Sequence, residues 1–90
     1  MQKNKITDKQ IHDIDLYSFN NRKAIEQSTI AGCYYCKKIF DPRVKKIEEY
    51  VNKETTALCP FCGIDSVIGN VSNSIDINDN NLHILNKFWF

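Results

Sequence analysis

The chain is poor in the features that usually announce an activity. No apolar run approaches the roughly 18 residues needed to cross a bilayer, and the opening MQKNKITDKQ lacks the hydrophobic stretch of a secretory signal. No membrane partner and a cytoplasmic location are therefore expected. The three glycines form no Gly-rich phosphate loop, and the two histidines, His12 and His83, form neither a paired metal motif nor part of an evident Cys/His/acid triad. Residues 37–58 contain no histidine, which an HNH-like nuclease would need in its metal-associated hairpin. Charge is balanced as well, with 12 Lys and Arg against 11 Asp and Glu, so the strong basic excess of a dedicated nucleic-acid binder is missing. Together these absences argue against an enzyme.

What is present is a 90-residue chain of globular composition, 42% apolar and 26% charged. A chain this short buries little of its surface and commonly needs a staple beside its core. The four cysteines supply one, as Cys33-x2-Cys36 and Cys59-x2-Cys62 separated by 22 residues. In a reducing compartment two close pairs favour metal over disulfides, and each pair can curl so that both sulfurs face one ion. Four thiolates close a tetrahedron and leave no open position for water or substrate, so one structural Zn2+ is expected, with a reversible dithiol or an iron-sulfur centre as alternatives. Pro60 stiffens the second turn and Gly63 allows positive φ there; the first turn carries Lys37 where a glycine would be expected. A lone histidine is more often a packing or surface residue, so His12 and His83 are left off the ligand set.

Along the chain, residues 1–10 read as a flexible polar arm and 11–90 as a single zinc-binding domain. Ser18 is a candidate N-cap for a helix over 19–31, with Phe19, Ile25 and Ile30 facing inward and Gly32 as its stop. Asp41-Pro42 predicts the start of a second helix, because Val44, Ile47 and Val51 then share a face to near Asn52. Thr55 to Leu58 and Ser66 to Ile68 predict two short strands around the second cysteine pair. Residues 70–81 suggest turns with at most one brief strand, and Asp79 or Asn80 caps a last helix with Leu82, Leu85 and Trp89 on one face. The expected class is a small α+β zinc-binding domain, zinc-ribbon or treble-clef-like, with two zinc knuckles and flanking helices.

The run Gly32-Cys33-Tyr34-Tyr35-Cys36, with Phe40 and Pro42, continuing in Thr56-Ala57-Leu58-Cys59-Pro60-Phe61-Cys62-Gly63-Ile64-Asp65-Ser66-Val67-Ile68, resembles a group of short bacterial cytoplasmic proteins. Those proteins are similar in an Asn-Arg-containing helix before the first pair, matched by Asn21-Arg22, and in a closing Trp-Phe, matched by Trp89-Phe90. The resemblance covers roughly residues 18–90. It implies a zinc-ribbon or treble-clef-like domain and carries no established activity.

Three functions compete, of which an enzyme or a thiol switch that releases its metal on oxidation is the least supported. The preferred one is a non-enzymatic binding or adaptor module for a protein or small ligand, with Arg22, Asp65 and Ser66 as a polar recognition cluster and Trp89 as a partner-binding aromatic. Against this, Asp65 capping a turn or pairing with Arg22, and Ser66 bonding backbone, would be ordinary turn chemistry. The alternative is a nucleic-acid-binding zinc finger with a regulatory role, in which Lys37, Lys38, Arg43, Lys45, Lys46 and Lys53 meet phosphates near Tyr34, Tyr35 and Phe40. Opposing it, residues 54–90 carry four acids against one lysine. Phe88-Trp89-Phe90 reads either as the closure of the domain's own core or as an anchor for a second subunit.

Overall fold

The computed structural model describes residues 6–71 and 75–90; parts of the expected arm and of the Asn-rich stretch, residues 1–5 and 72–74, lie outside the described residues. The first helix begins with a capping box. The Gln10 amide donates to Thr7 Oγ1 at 3.1 Å while the Thr7 amide donates to Gln10 Oε1 at 2.8 Å, which satisfies two otherwise unpaired N–H groups at the head of α1 (Asp8–Tyr17). Residues 8–10 of the expected arm thus belong to a helix.

The predicted helix over 19–31 is shorter and starts later. Ser18 ends α1, its amide bonding Ile14, and Asn20 follows in the left-handed region with φ of 57°. Only α2 (Arg22–Gln27) is helical in that stretch, with Ile25 inside and Phe19 exposed. Beyond Ser28 the chain extends into β1 (Ala31–Cys33), where Gly32 serves as a strand residue packed close against Ile77 and Leu82.

β1 pairs antiparallel with β2 (Ile39–Phe40) on one side and with β5 (Val67–Gly69) on the other, giving a three-stranded sheet in the order β2-β1-β5. Neighbouring strand residues point to opposite faces, and the burial follows that period. Ala31, Cys33 and Val67 pack on one face with Ile25, Phe40, Ile47, Ala57 and Cys59. Ile68 lies on the other, in a cluster with Ile14, Tyr34, Leu82 and Leu85 drawn from α1, the first cysteine turn and α3 (Asp79–Trp89). The sheet therefore separates a layer of two helices from a layer built on the cysteines and α2.

The second predicted helix does not form. Asp41 does cap, but it closes a single turn: its carboxylate takes the Arg43 amide at 2.8 Å and its carbonyl takes the Val44 and Lys45 amides. Val44 is 83% exposed, and only Ile47 of the expected stripe is buried. A stripe with one anchored residue gives an isolated helix too little packing to offset its nucleation cost. The segment instead forms β3 (Tyr50–Val51), paired with β4 (Thr56–Ala57) through a turn in which Asn52, Lys53 and Glu54 all have positive φ. This hairpin occupies the long gap between the cysteine pairs.

The strand residues around the second pair and the C-terminal helix form as expected, but the cap of α3 is Asn78, whose Oδ1 accepts the Asn81 amide at 2.8 Å, and not Asp79 or Asn80, which already lie inside the helix. The protein is a small α+β domain in which helices flank a sheet beside a cluster of four cysteines, a zinc-ribbon/treble-clef-like fold. Among the described residues no helix is long and apolar enough to cross a membrane.

Candidate metal centre

The two cysteine turns are built alike. In the first, the Cys33 amide donates to the Lys38 carbonyl at 3.1 Å and the Lys37 amide donates to the Cys33 carbonyl at 2.7 Å. In the second, the Cys59 amide donates to the Ile64 carbonyl and the Gly63 amide to the Cys59 carbonyl, both at 2.9 Å. Each turn passes through the left-handed region at the same offset, Lys37 with φ of 67° and Gly63 with φ of 80°. Lys37 thus adopts the conformation for which glycine would be the easier residue. The first turn is the β1–β2 connection and the second joins β4 to β5, so strands lead into and out of both.

The four sulfur atoms lie within 4.8 Å of one another. Cys33 and Cys62 Sγ are 3.7 Å apart, as are Cys36 and Cys59 Sγ. A disulfide would need about 2.05 Å, whereas a tetrahedron with metal–sulfur bonds of about 2.3 Å has edges of about 3.8 Å. The separations therefore fit four thiolates around one ion. Cys33 and Cys59 are buried while Cys36 and Cys62 are half-buried, so the centre sits at the edge of its layer.

Polar groups aim at the sulfurs. The Phe61 amide donates to Cys59 Sγ at 3.4 Å, and the buried Ser66 hydroxyl lies 3.1 Å from Cys33 Sγ. Burial pushes the Cys59 and Cys62 thiols up, against the pull of neighbouring amides. At Cys36 burial also opposes ionisation, but the Lys38 amide and the adjoining cysteines outweigh it and hold the thiol below its ordinary value. A bound cation supplies the charge that lets such a crowded set exist as thiolates together.

The other sequence-predicted residues are dispersed. Ser66 belongs to the centre through its contact with Cys33. Asp65 beside it is exposed, and among the described residues it makes no hydrogen bond or ion pair; its charge is felt by the Tyr34 phenol, which burial, above all, pushes up. Arg22 makes no contact with Asp65. It bonds Glu26 Oε2 at 3.2 Å and the Glu54 carbonyl at 3.0 Å, and its guanidinium carbon stands 4.2 Å above the Tyr50 ring. Trp89 is 37% exposed and donates its Nε1–H to the Ile11 carbonyl at 3.0 Å, tying α3 to α1. His12 rests edge-on against Phe88, and neither histidine joins the sulfur cluster.

Two asparagines that sequence reasoning gave no role matter more to the geometry. Asn21 is buried: its Nδ2 donates to the Val67 and Tyr17 carbonyls at 2.7 and 3.1 Å, and its Oδ1 accepts the Ala57 amide at 3.0 Å. One side chain thereby joins α1, β4 and β5. Asn86 on α3 donates to the carbonyls of Tyr34 and Tyr35, which lie between the first two cysteines. Only the Asn21-Arg22 match in the resemblance pointed to the first; no spacing pointed to the second.

The fold and the sulfur cluster together define a small α+β module with a four-cysteine site capable of holding a metal ion. Comparison with protein families, curated proteins and solved structures returned no match to the chain.

Proposed function

We propose that the protein is a non-enzymatic, zinc-stabilised adaptor of the bacterial cytoplasm, whose ion fixes an exposed aromatic surface for docking a protein partner. Cys33, Cys36, Cys59 and Cys62 would hold one Zn2+, which would supply folding energy and not reactivity, because four thiolates leave no open coordination position. The observation that carries the docking reading is the link between the metal turn and α3. Asn86 grips the Tyr34 and Tyr35 carbonyls, and the Phe90 ring lies 4.8 Å from Tyr35 and 6.0 Å from Tyr34. Phe90 is nonetheless 60% exposed, and Tyr35 and Phe88 are exposed beside it. Large apolar rings held rigidly at a surface suit protein contacts, including contact with a second copy.

Native mass spectrometry on untagged protein tests both halves. The expected result is one zinc per chain and a retained protein or second subunit, lost on deletion of residues 88–90 while zinc content and circular dichroism persist. A folded, metal-free monomer overturns the zinc reading. Wholesale unfolding on the deletion assigns the segment to the core and removes the docking surface.

A second reading, nucleic-acid binding, is favoured by Phe61. Its ring is exposed on the second knuckle, with Lys45 Nζ and Lys38 Nζ 5.5 and 5.9 Å from its centroid, so a base could stack where cations meet phosphate. Binding to single-stranded DNA or RNA that falls steeply with salt supports it; no binding at low ionic strength removes it.

A further inference from the structure

A groove of about 430 Å³ opens between α2 and the segment leading into β3. It shares no residue with the aromatic surface, and its size lies in the range of small-molecule sites. Its apolar wall comes from Ile25, Ile47 and Tyr50, which pack into the cysteine-side core. A zinc-pinned layer therefore shapes it.

The charges on its rim are unequal. Arg43 is held by both oxygens of Asp41, at 3.0 and 2.7 Å, so it is already matched. Arg22 is matched by Glu26 and lies 3.7 Å from Glu54 Oε1, which leaves it as a flat plate above Tyr50. Lys46 is exposed and, among the described residues, has neither ion pair nor hydrogen bond. One free cation beside an apolar and aromatic wall is a site for one anionic group on an apolar body.

The backbone supplies a second observation. Asn52, Lys53 and Glu54 are consecutive non-glycine residues at φ of 56°, 60° and 68°. Runs of left-handed residues are costly and persist where their surroundings over-determine them. Here the strained turn aims the Glu54 carbonyl at Arg22 Nη1, while the Thr55 carbonyl accepts the Arg22 amide at 2.9 Å. Both contacts fix the Arg22–Tyr50 pair before any ligand arrives, which lowers the ordering cost of binding.

We propose that this groove binds a small organic anion, a carboxylate or phosphate monoester on an aromatic body, with its charge at Lys46 and its ring against Ile47 and the Arg22–Tyr50 pair. The test is a 1H–15N NMR titration of the zinc-loaded full chain with benzoate, phenyl phosphate and, as the uncharged probe, benzyl alcohol. The expected result is saturable shifts of the Lys46, Ile47 and Tyr50 amides with an anion, and about two- to fivefold weaker binding of benzyl alcohol. Lys46→Gln, an exposed change, should weaken the anions by a similar factor, whereas Lys38→Gln should not. Comparison of the two anions separates carboxylate from phosphate. Shifts confined to other residues, equal affinity after Lys46→Gln, or no saturable shift up to about 10 mM overturns the proposal.

Discussion

Asn21 neither carries charge nor touches a sulfur atom, yet its amide is the polar junction between the helical layer and the strands that flank the second cysteine turn. Removing one partner from a buried hydrogen bond costs about 1–3 kcal/mol, because the remaining group stays desolvated. Asn21→Ala should accordingly lower the unfolding free energy by about 2–3 kcal/mol in urea denaturation. A change below about 0.5 kcal/mol would mean that water replaces the amide freely. Ser66 and Asp65 are adjacent in sequence but face different surroundings, one buried against Cys33 Sγ and the other exposed. Groups that hydrogen-bond a metal ligand commonly contribute about 10–100-fold to affinity. Ser66→Ala should thus weaken zinc binding by about tenfold in competition with a chromophoric chelator, whereas Asp65→Ala should leave it unchanged. Equal effects at the two positions would remove Ser66 from the metal centre.

At the scale of elements, the paired turns offer a comparison, because they share a hydrogen-bond pattern and place different residues, Lys37 and Gly63, at the left-handed position. A left-handed conformation costs an L-residue about 1–2 kcal/mol, and a glycine forfeits about 0.5–1 kcal/mol through its freer unfolded chain. Lys37→Gly should therefore raise stability by about 0.5–1 kcal/mol, and Gly63→Ala should lower it by about 1 kcal/mol. A Cβ at Gly63 would meet nothing within 4 Å, so its cost is conformational alone. Chemical denaturation of both variants with zinc present checks the signs, and a destabilising Lys37→Gly would show that the lysine side chain itself is needed. The β3–β4 hairpin shows the opposite relation between sequence and element. The Asp41-Pro42 signal is real and produces a turn, but a helix past residue 45 would place Val44 and Val51 on a stripe that nothing covers, and pairing of Tyr50 with Ala57 and Val51 with Thr56 prevails. Local signals report how an element begins; how long it continues depends on what its face can bury.

Over the whole molecule, β1 and β5 serve two clusters at once, with Cys33 and Val67 on the metal side and Ile68 on the helical side. Loss of the ion should not leave the helical half intact. Chelation of the zinc-loaded protein should collapse near-UV and far-UV circular dichroism in one transition, and hydrogen exchange at Leu82 and Leu85 should lose protection together with Val67. Persistent protection at Leu82 would show that the helical cluster stands alone. The sequence by itself determined the four ligand candidates, the strand character around the second pair and the amphipathic last helix. Those features depend on short spacing: two sulfurs on one turn, alternation over a few residues, a cap followed by a stripe. Tertiary structure alone decided that β1 is the central strand, that residues 50–57 form a hairpin, that Arg22 stacks on Tyr50 away from Asp65, and that Asn21 and Asn86 bind distant carbonyls. Each of these joins residues far apart in the chain, where the outcome depends on which neighbours arrive to satisfy a donor or cover an apolar face.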